Sequence, residues 1–130
     1  MAIEKQVFRS GPFAEFIAQG VKTGPILHLS GQVGMDDEGE IPESIIAQTQ
    51  LAYVNVATVL AEFGATLDNV VDETFFVTDV GEVHDHMEGI YGARAEAYGG
   101  QPEVTQTLIG TTALVLPGLK LEIKCVAIVN

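Results

Sequence analysis

Residues 101–130 read QPEVTQTLIGTTALVLPGLKLEIKCVAIVN, and their patterning decides the fold. A Thr-rich extended segment breaks at Pro117-Gly118 and gives way to a strongly alternating strand. The spacing predicts two strands, 106–115 and 119–128, joined at the Pro-Gly break. Glu122 lies in the middle of the second, flanked by Leu121 and Ile123. A carboxylate in such company is either a surface group or one kept for a purpose. As a surface group it would pair with Lys120 or Lys124 for under about 1 kcal/mol.

Upstream the hydrophobic period changes. Between residues 42 and 63, Ile45, Ala52, Val56, Val59 and Phe63 fall on one stripe with Leu60 beside it, which predicts a long amphipathic helix. Pro42 suits the first turn of that helix and Gly64 the position just past its end, while Tyr53 and Asn55 lie off the stripe with no assigned role. The β-branched and aromatic run VVDETFFVTDV over 70–80 predicts a strand. A second helix over 82–98 carries Val83, Met87, Ile90 or Tyr91, Arg94 and Ala97 or Tyr98 on one stripe and stops at Gly99-Gly100. Nearer the N-terminus, 5–9 and 26–30 read as short strands, and 13–21 is mixed.

Strands and helices in this order, with no Gly-rich strand-to-helix loop, argue for α+β rather than a dinucleotide fold. Two helices can cover one face of the sheet. The other face, with Val126 and Ile128, needs a cover, and a second copy of the chain is the simplest one.

The totals exclude several classes. At 130 residues the chain fits one domain, and 47% hydrophobic with 18% charged residues marks a folded globular protein. Eighteen acids against six bases give a formal charge of −12. Lys5, Arg9, Lys22, Arg94, Lys120 and Lys124 are too few and too scattered to track a phosphate backbone, so no nucleic-acid partner is expected. No apolar run approaches the roughly 20 residues of a membrane span, and the N-terminus lacks a signal-peptide core; a cytoplasmic protein is expected. Cys125 cannot form an internal disulfide and reads as a small buried hydrophobe.

Motifs for chemistry are sparse. In His84-Asp85-His86, helical geometry would point the two imidazoles about 200° apart; on a loop they could share a metal, but no third ligand is near in sequence, and the cluster reads as a solvated helix start. His28, between Leu27 and Leu29, reads as structural. The acidic run 36–40 (DDEGE) lacks the spacing of a calcium loop and reads as solvated. Neither a metal nor a cofactor is implied. Ser30-Gly31-Gln32 ends a strand at a glycine, where a hydroxyl and backbone amides can face a ligand, or where the turn simply needs glycine.

Several of these pieces form one pattern. S-G-Q follows a short strand, and the first helix contains A-Q-T-Q-x-A-x-x-N-V. V-V-x-E-T-F-F-V-T-D-V comes next, then a helix with V-x-x-x-x-x-x-I-Y, and L-x-L-P-G leads into L-E-I-K-C-V-A. From Ser30 to Ala127 the chain resembles the RidA family, also called YjgF or L-PSP. The resemblance implies a chorismate-mutase-like α+β fold, with a mixed sheet and two helices on one face, and a homotrimer with pockets between subunits. It also implies hydrolysis of reactive enamines and imines.

Carried over by the resemblance, Glu122 is the glutamate that orients the attacking water. The family's arginine, which holds a substrate carboxylate in a P-A-R-[ST] motif, has no counterpart. Counting back from Leu116-Pro117 reaches Gln106, before Thr107; counting forward from Pro102 reaches Val104; and no arginine follows Arg94. The family's pocket tyrosine falls near Ile17 or Phe13, and an asparagine three residues before the helix tyrosine, here Tyr91, is replaced by Glu88. The resemblance thus implies Glu122 as the catalytic group, with Ser30, Gly31, Ile17, Glu88, Tyr91, Gln106 and Thr107 around a small-molecule substrate. A glutamine offers one neutral donor group where an arginine offers two parallel charged ones, so an altered substrate is expected. The alternative is a non-catalytic trimer binding a small metabolite in the same clefts. A nuclease role is disfavoured by the acidic charge.

Overall fold

The structure, a computed structural model described over residues 2–130, is built around the strand that ends the sequence. Leu121, Ile123, Cys125 and Ala127 alternate with Glu122, Lys124, Val126 and Ile128, and all four odd-numbered side chains are fully buried. This strand, β7 (Leu121–Ile128), is central. Upstream of it come β1 (Gln6–Phe8), β2 (Gly20–Thr23), β3 (Ile26–Leu29), β4 (Gln32–Val33), β5 (Val70–Val77) and β6 (Thr105–Gly110). They form one seven-stranded sheet in the order β1-β2-β3-β7-β5-β6, with β4 also pairing on β7.

The Pro117-Gly118 break does not make a hairpin. Strand β6 ends at Gly110 and pairs in parallel with β5, so β5 stands between the two strands expected to be neighbours. The helical segment between β5 and β6 explains this. A strand–helix–strand crossover returns the chain parallel to its starting strand, whereas residues 111–120 only carry it from the sheet edge to the centre. Strand β2 emerges from the mixed segment 13–21 and forms a hairpin with β3 across Gly24-Pro25.

The first helix, α1 (Ile45–Ala61), has Ser44 as its cap, accepting from the amides of Ile46 and Ala47 at 3.2 and 3.3 Å. Pro42 lies outside it, and the Pro42 carbonyl instead accepts from the Gln48 side chain at 2.8 Å. The predicted stripe is buried in full, from Ile45 to Phe63. The expected second helix is two helices, α2 (Val80–Asp85) and α3 (Met87–Tyr98), broken at His86, whose φ of −121° and ψ of 24° are not helical. The sheet therefore carries three helices rather than two. His84, Asp85 and His86 straddle the break, exposed, and Met87 is 41% exposed instead of joining the core stripe.

Helices cover one sheet face only. On it lie Leu27 and Leu29 of β3, the odd residues of β7, and Glu73, Phe75 and Val77 of β5, all buried. Val70 shares that face with Glu73 because a bulge at Val71 shifts the register, Val70 pairing with Ala127 and Asp72 with Val126. The opposite face carries Ile26, Ile109 and Ile128, each at least 40% exposed, beside half-buried Val126 and Phe76. Among the described residues no helix is long and apolar enough to cross a membrane.

Candidate functional site

Two carboxylates stand in mid-strand on opposite faces of this sheet. Glu73 is fully buried beneath the helices. Its oxygens accept from the Tyr53 hydroxyl at 3.0 and 3.1 Å, the Tyr98 hydroxyl at 2.8 Å, Gln106 Nε2 at 3.0 Å, and Arg94 Nε. Strand register places Gln106 and Cys125 directly beside Glu73, while α1 supplies Tyr53 and α3 supplies Arg94 and Tyr98. Arg94 also donates to the Val104 carbonyl at 3.2 Å, and Tyr91 donates to Gln106 Oε1 at 2.6 Å. Every lone pair worth filling is filled, which is what a buried charge requires. Burial and the Glu73 charge push the Tyr53 and Tyr98 hydroxyls far above the ordinary phenol range, so both stay protonated as donors. Burial depresses the Arg94 guanidinium, but the hydrogen bond and charge of Glu73 outweigh it and hold it above its usual value. Burial likewise pushes the Cys125 thiol up, making it a poor nucleophile.

Glu122 is the opposite case. It is half-buried, on the face away from the helices, between Val33 of β4 and Phe76 of β5. Among the described residues no ion pair reaches its carboxylate. Lys124, two residues on, donates instead to the Leu29 carbonyl at 2.9 Å. Burial raises the Glu122 pKa, and the Lys124 charge only partly offsets this. The carboxylate lies over Gly31, where a Cβ would overlap it, so glycine at this position lets the carboxylate keep its place.

Glu122 lines a cleft of about 1060 Å³ between the 10–19 segment, the 30–39 segment and the side of α1. Ser30 and Gly31 line it, as do Phe13 and Ile17. Ser30 donates its hydroxyl proton to the Ala18 carbonyl at 2.6 Å, leaving only lone pairs for a ligand. Gln32 braces the wall by donating to Gln19 Oε1 at 2.7 Å and to the Ser30 carbonyl at 3.0 Å. Asp36, Asp37, Glu38 and Gly39 of the acidic loop also line the cleft. Asn55, assigned no role from its position on the helix, ties that loop down by donating to the Val33 and Met35 carbonyls at 2.8 and 2.9 Å. Gly34 lets the loop lie against the α1 backbone at Gln48. Beyond it Asp36 Oδ1 accepts from the amides of Glu38 and Glu40, both at 2.9 Å.

The residues grouped by sequence therefore divide within one chain. Glu122, Ser30, Gly31 and Ile17 share the cleft. Gln106 and Tyr91 belong to the Glu73 cluster on the other face, Thr107 pairs with Thr74 on β6, and Glu88 is exposed on α3. Sequence reasoning missed Glu73 and Tyr53. The signal was present, a glutamate inside the aromatic strand 70–77, but the bulge at Val71 disguises its face. Among the described residues no group of side chains could hold a metal ion.

Comparison with known proteins follows the same outline. The family model described as Endoribonuclease L-PSP matches residues 9–129. The RutC family protein YjgH of Escherichia coli (strain K12) is 33% identical over 107 residues, covering 82% of this chain and 78% of YjgH. TdcF of the same organism, described by name as a candidate reactive intermediate deaminase, is 30% identical over 73 residues, 55% of this chain and 54% of TdcF. The solved structure of YyfA from Yersinia pestis, a Rid family protein of unknown function, superposes with a TM-score of 0.84 at 26% identity, over 97% of this chain and all (100%) of that one.

Proposed function

The chain belongs to the endoribonuclease L-PSP family, the RutC, YjgF or Rid proteins of its relatives' names, and from that premise we propose that it hydrolyses reactive imines and enamines in the Glu122 cleft. The observation that carries this reading is the Glu122 carboxylate, raised in pKa by burial, reached by no ion pair among the described residues, and lining a cleft with Phe13 and Ile17. Such a group is suited to proton transfer, because a base works best when its pKa lies closer to working pH. Glu122 takes a proton from water as the water oxygen bonds to the imine carbon. The proton passes to nitrogen, the carbon–nitrogen bond breaks, ammonia leaves and the carbonyl product remains. The name of TdcF points to the same chemistry in a relative.

The active form in this reading is a homotrimer whose subunits cover the open sheet face. Ile26, Ile109 and Ile128, each at least 40% exposed on that face, support self-association. Assembly also offers a way to bring Thr107, Glu88 or Tyr91 of one copy towards the cleft of another. Light scattering checks it, and a monomer at working concentration would count against both the trimer and any shared cleft. The family's ribonuclease description fits this chain poorly, since −12 overall repels a phosphate backbone.

The activity is tested by generating imines with an amino-acid oxidase or a PLP-dependent lyase and following ammonia. The protein is expected to accelerate release and Glu122→Gln to abolish the acceleration. Rates equal to buffer for both proteins would remove the catalytic reading and leave a metabolite-binding protein.

A further inference from the structure

The charge around the cleft is one-sided. Glu122, Asp36, Asp37 and Glu38 line it, while among the described residues no lysine or arginine does. The six bases can be followed one by one. Arg94 is bound to Glu73 and Val104 on the far face, Lys120 pairs with Glu82 at 2.8 Å, and Lys124 is held by the Leu29 carbonyl. Arg9 is next to the lining residue Ser10 but turns its guanidinium to the Ala14 carbonyl at 3.0 Å. Lys5 and Lys22 lie at the β1–β2 side of the sheet, outside the lining. Asn55 ties down the segment that leads into the acidic loop, through the Val33 and Met35 carbonyls. The rest of the lining is uncharged, with apolar Phe13, Ile17, Val59 and Val115 beside polar Ser30, Asn55 and Thr58.

An anion entering this cleft would meet carboxylates and no counter-charge. A cation with an apolar body would meet a carboxylate that no ion pair reaches among the described residues, and the apolar side chains of Phe13, Ile17, Val59 and Val115. We infer that the cleft selects cationic, carboxylate-free ligands with an apolar body, and that its substrates are protonated imines of simple amines rather than imino acids. The substrate half of this inference rests on the hydrolytic reading above; the ligand half does not. The balance is complete without a further reagent. An iminium ion and water give a carbonyl compound and ammonium, with Glu122 accepting the water proton and returning it to nitrogen before the carbon–nitrogen bond breaks.

The wild-type protein tests the ligand class directly. Titration calorimetry with benzylammonium, benzyl alcohol and benzoate compares one apolar body carrying three charges. Benzylammonium is expected to bind at least about tenfold more tightly than benzyl alcohol, with benzoate weakest, as a charge-assisted contact would give. In Glu122→Gln, with folding checked by circular dichroism, the ammonium preference is expected to fall by a similar factor. Benzoate binding as well as benzylammonium, whichever copy of the chain supplies the counter-charge, overturns the inference. So does an ammonium preference unchanged in Glu122→Gln. Turnover separates the two readings. Imines released by an amine oxidase from benzylamine are expected to be hydrolysed faster than the imino acid released by an amino-acid oxidase from phenylalanine. If only the imino acid is accelerated, hydrolysis stands and the substrate class falls. If neither is accelerated but benzylammonium still binds best, the hydrolytic reading falls and the ligand class stands.

Discussion

Glu73 and Glu122 occupy neighbouring strands of one sheet, yet they are opposite objects. Glu73 is enclosed by two tyrosine hydroxyls, a guanidinium and a glutamine amide, with no capacity left for a ligand. Glu122 is only half enclosed, has no ion-pair partner among the described residues, and faces a cleft. Burial alone does not mark a functional carboxylate. What separates the two is whether the surrounding donors complete its coordination, and only the incomplete one can exchange protons or bind a cation.

Several substitutions would break that contrast or sharpen it. The largest effect is expected at Glu73→Ala, which strands the Arg94 charge and two hydroxyls in the interior. Urea denaturation should show a loss of about 3–5 kcal/mol, as for other broken buried pairs. An unchanged midpoint would mean that the cluster contributes nothing. Glu122→Gln should divide the other way, lowering kcat/KM about 10²–10⁴-fold, the usual contribution of a positioned base, without loss of stability. The sign follows from linkage. Folding raises this carboxyl's pKa, so the ionised form is disfavoured in the fold and destabilises it above the folded pKa. The neutral glutamine removes that penalty, and a marked drop in melting temperature would contradict the assignment. Gly31→Ala pushes the Glu122 carboxylate aside with little strain on the fold, because the overlapped atoms end a flexible side chain. A loss of up to about 10²-fold in kcat/KM, with stability nearly constant, is expected from misplacement of that kind. Wild-type kcat/KM should lose activity on the acid side with a limb above 4.5, the ordinary value for this group, because the base must be ionised and its pKa is raised. Glu122→Gln should lack that limb. The smallest effect on stability belongs to Tyr91→Phe, which leaves Gln106 Oε1 without its donor at a cost of about 1 kcal/mol in urea denaturation.

The parts legible in sequence were those with an undisturbed period. The α1 stripe repeats every three to four residues from Ile45 to Phe63, and β7 alternates without a fault, so both were readable. Pro117-Gly118 misled because the dipeptide has the chemistry of a tight turn, and local chemistry does not reveal which strands the sheet later brings together. The break at His86 has no proline or glycine to announce it. Tyr53 was passed over because it lies beside the apolar stripe. Its ring packs edge-on against Phe75, 6.3 Å between centroids, and only its hydroxyl is polar. The residues around Glu122 were found through a family likeness, and the likeness also grouped Gln106 and Tyr91 with them, although within one chain those two serve Glu73.

Val71, the extra residue of the β5 bulge, has a consequence for how this strand tolerates change in length. On either side of it the chain counts inside and outside separately, so Val70 and Glu73 both point inward although an odd number of steps divides them. Deleting Val71 would restore strict alternation with both side chains still facing the helices. Straightening the bulge with Val71 retained would turn one of them out, and either Val70 or Glu73 would lose the interior. The single residue works like a leap day in a calendar, an inserted count that keeps two cycles in phase.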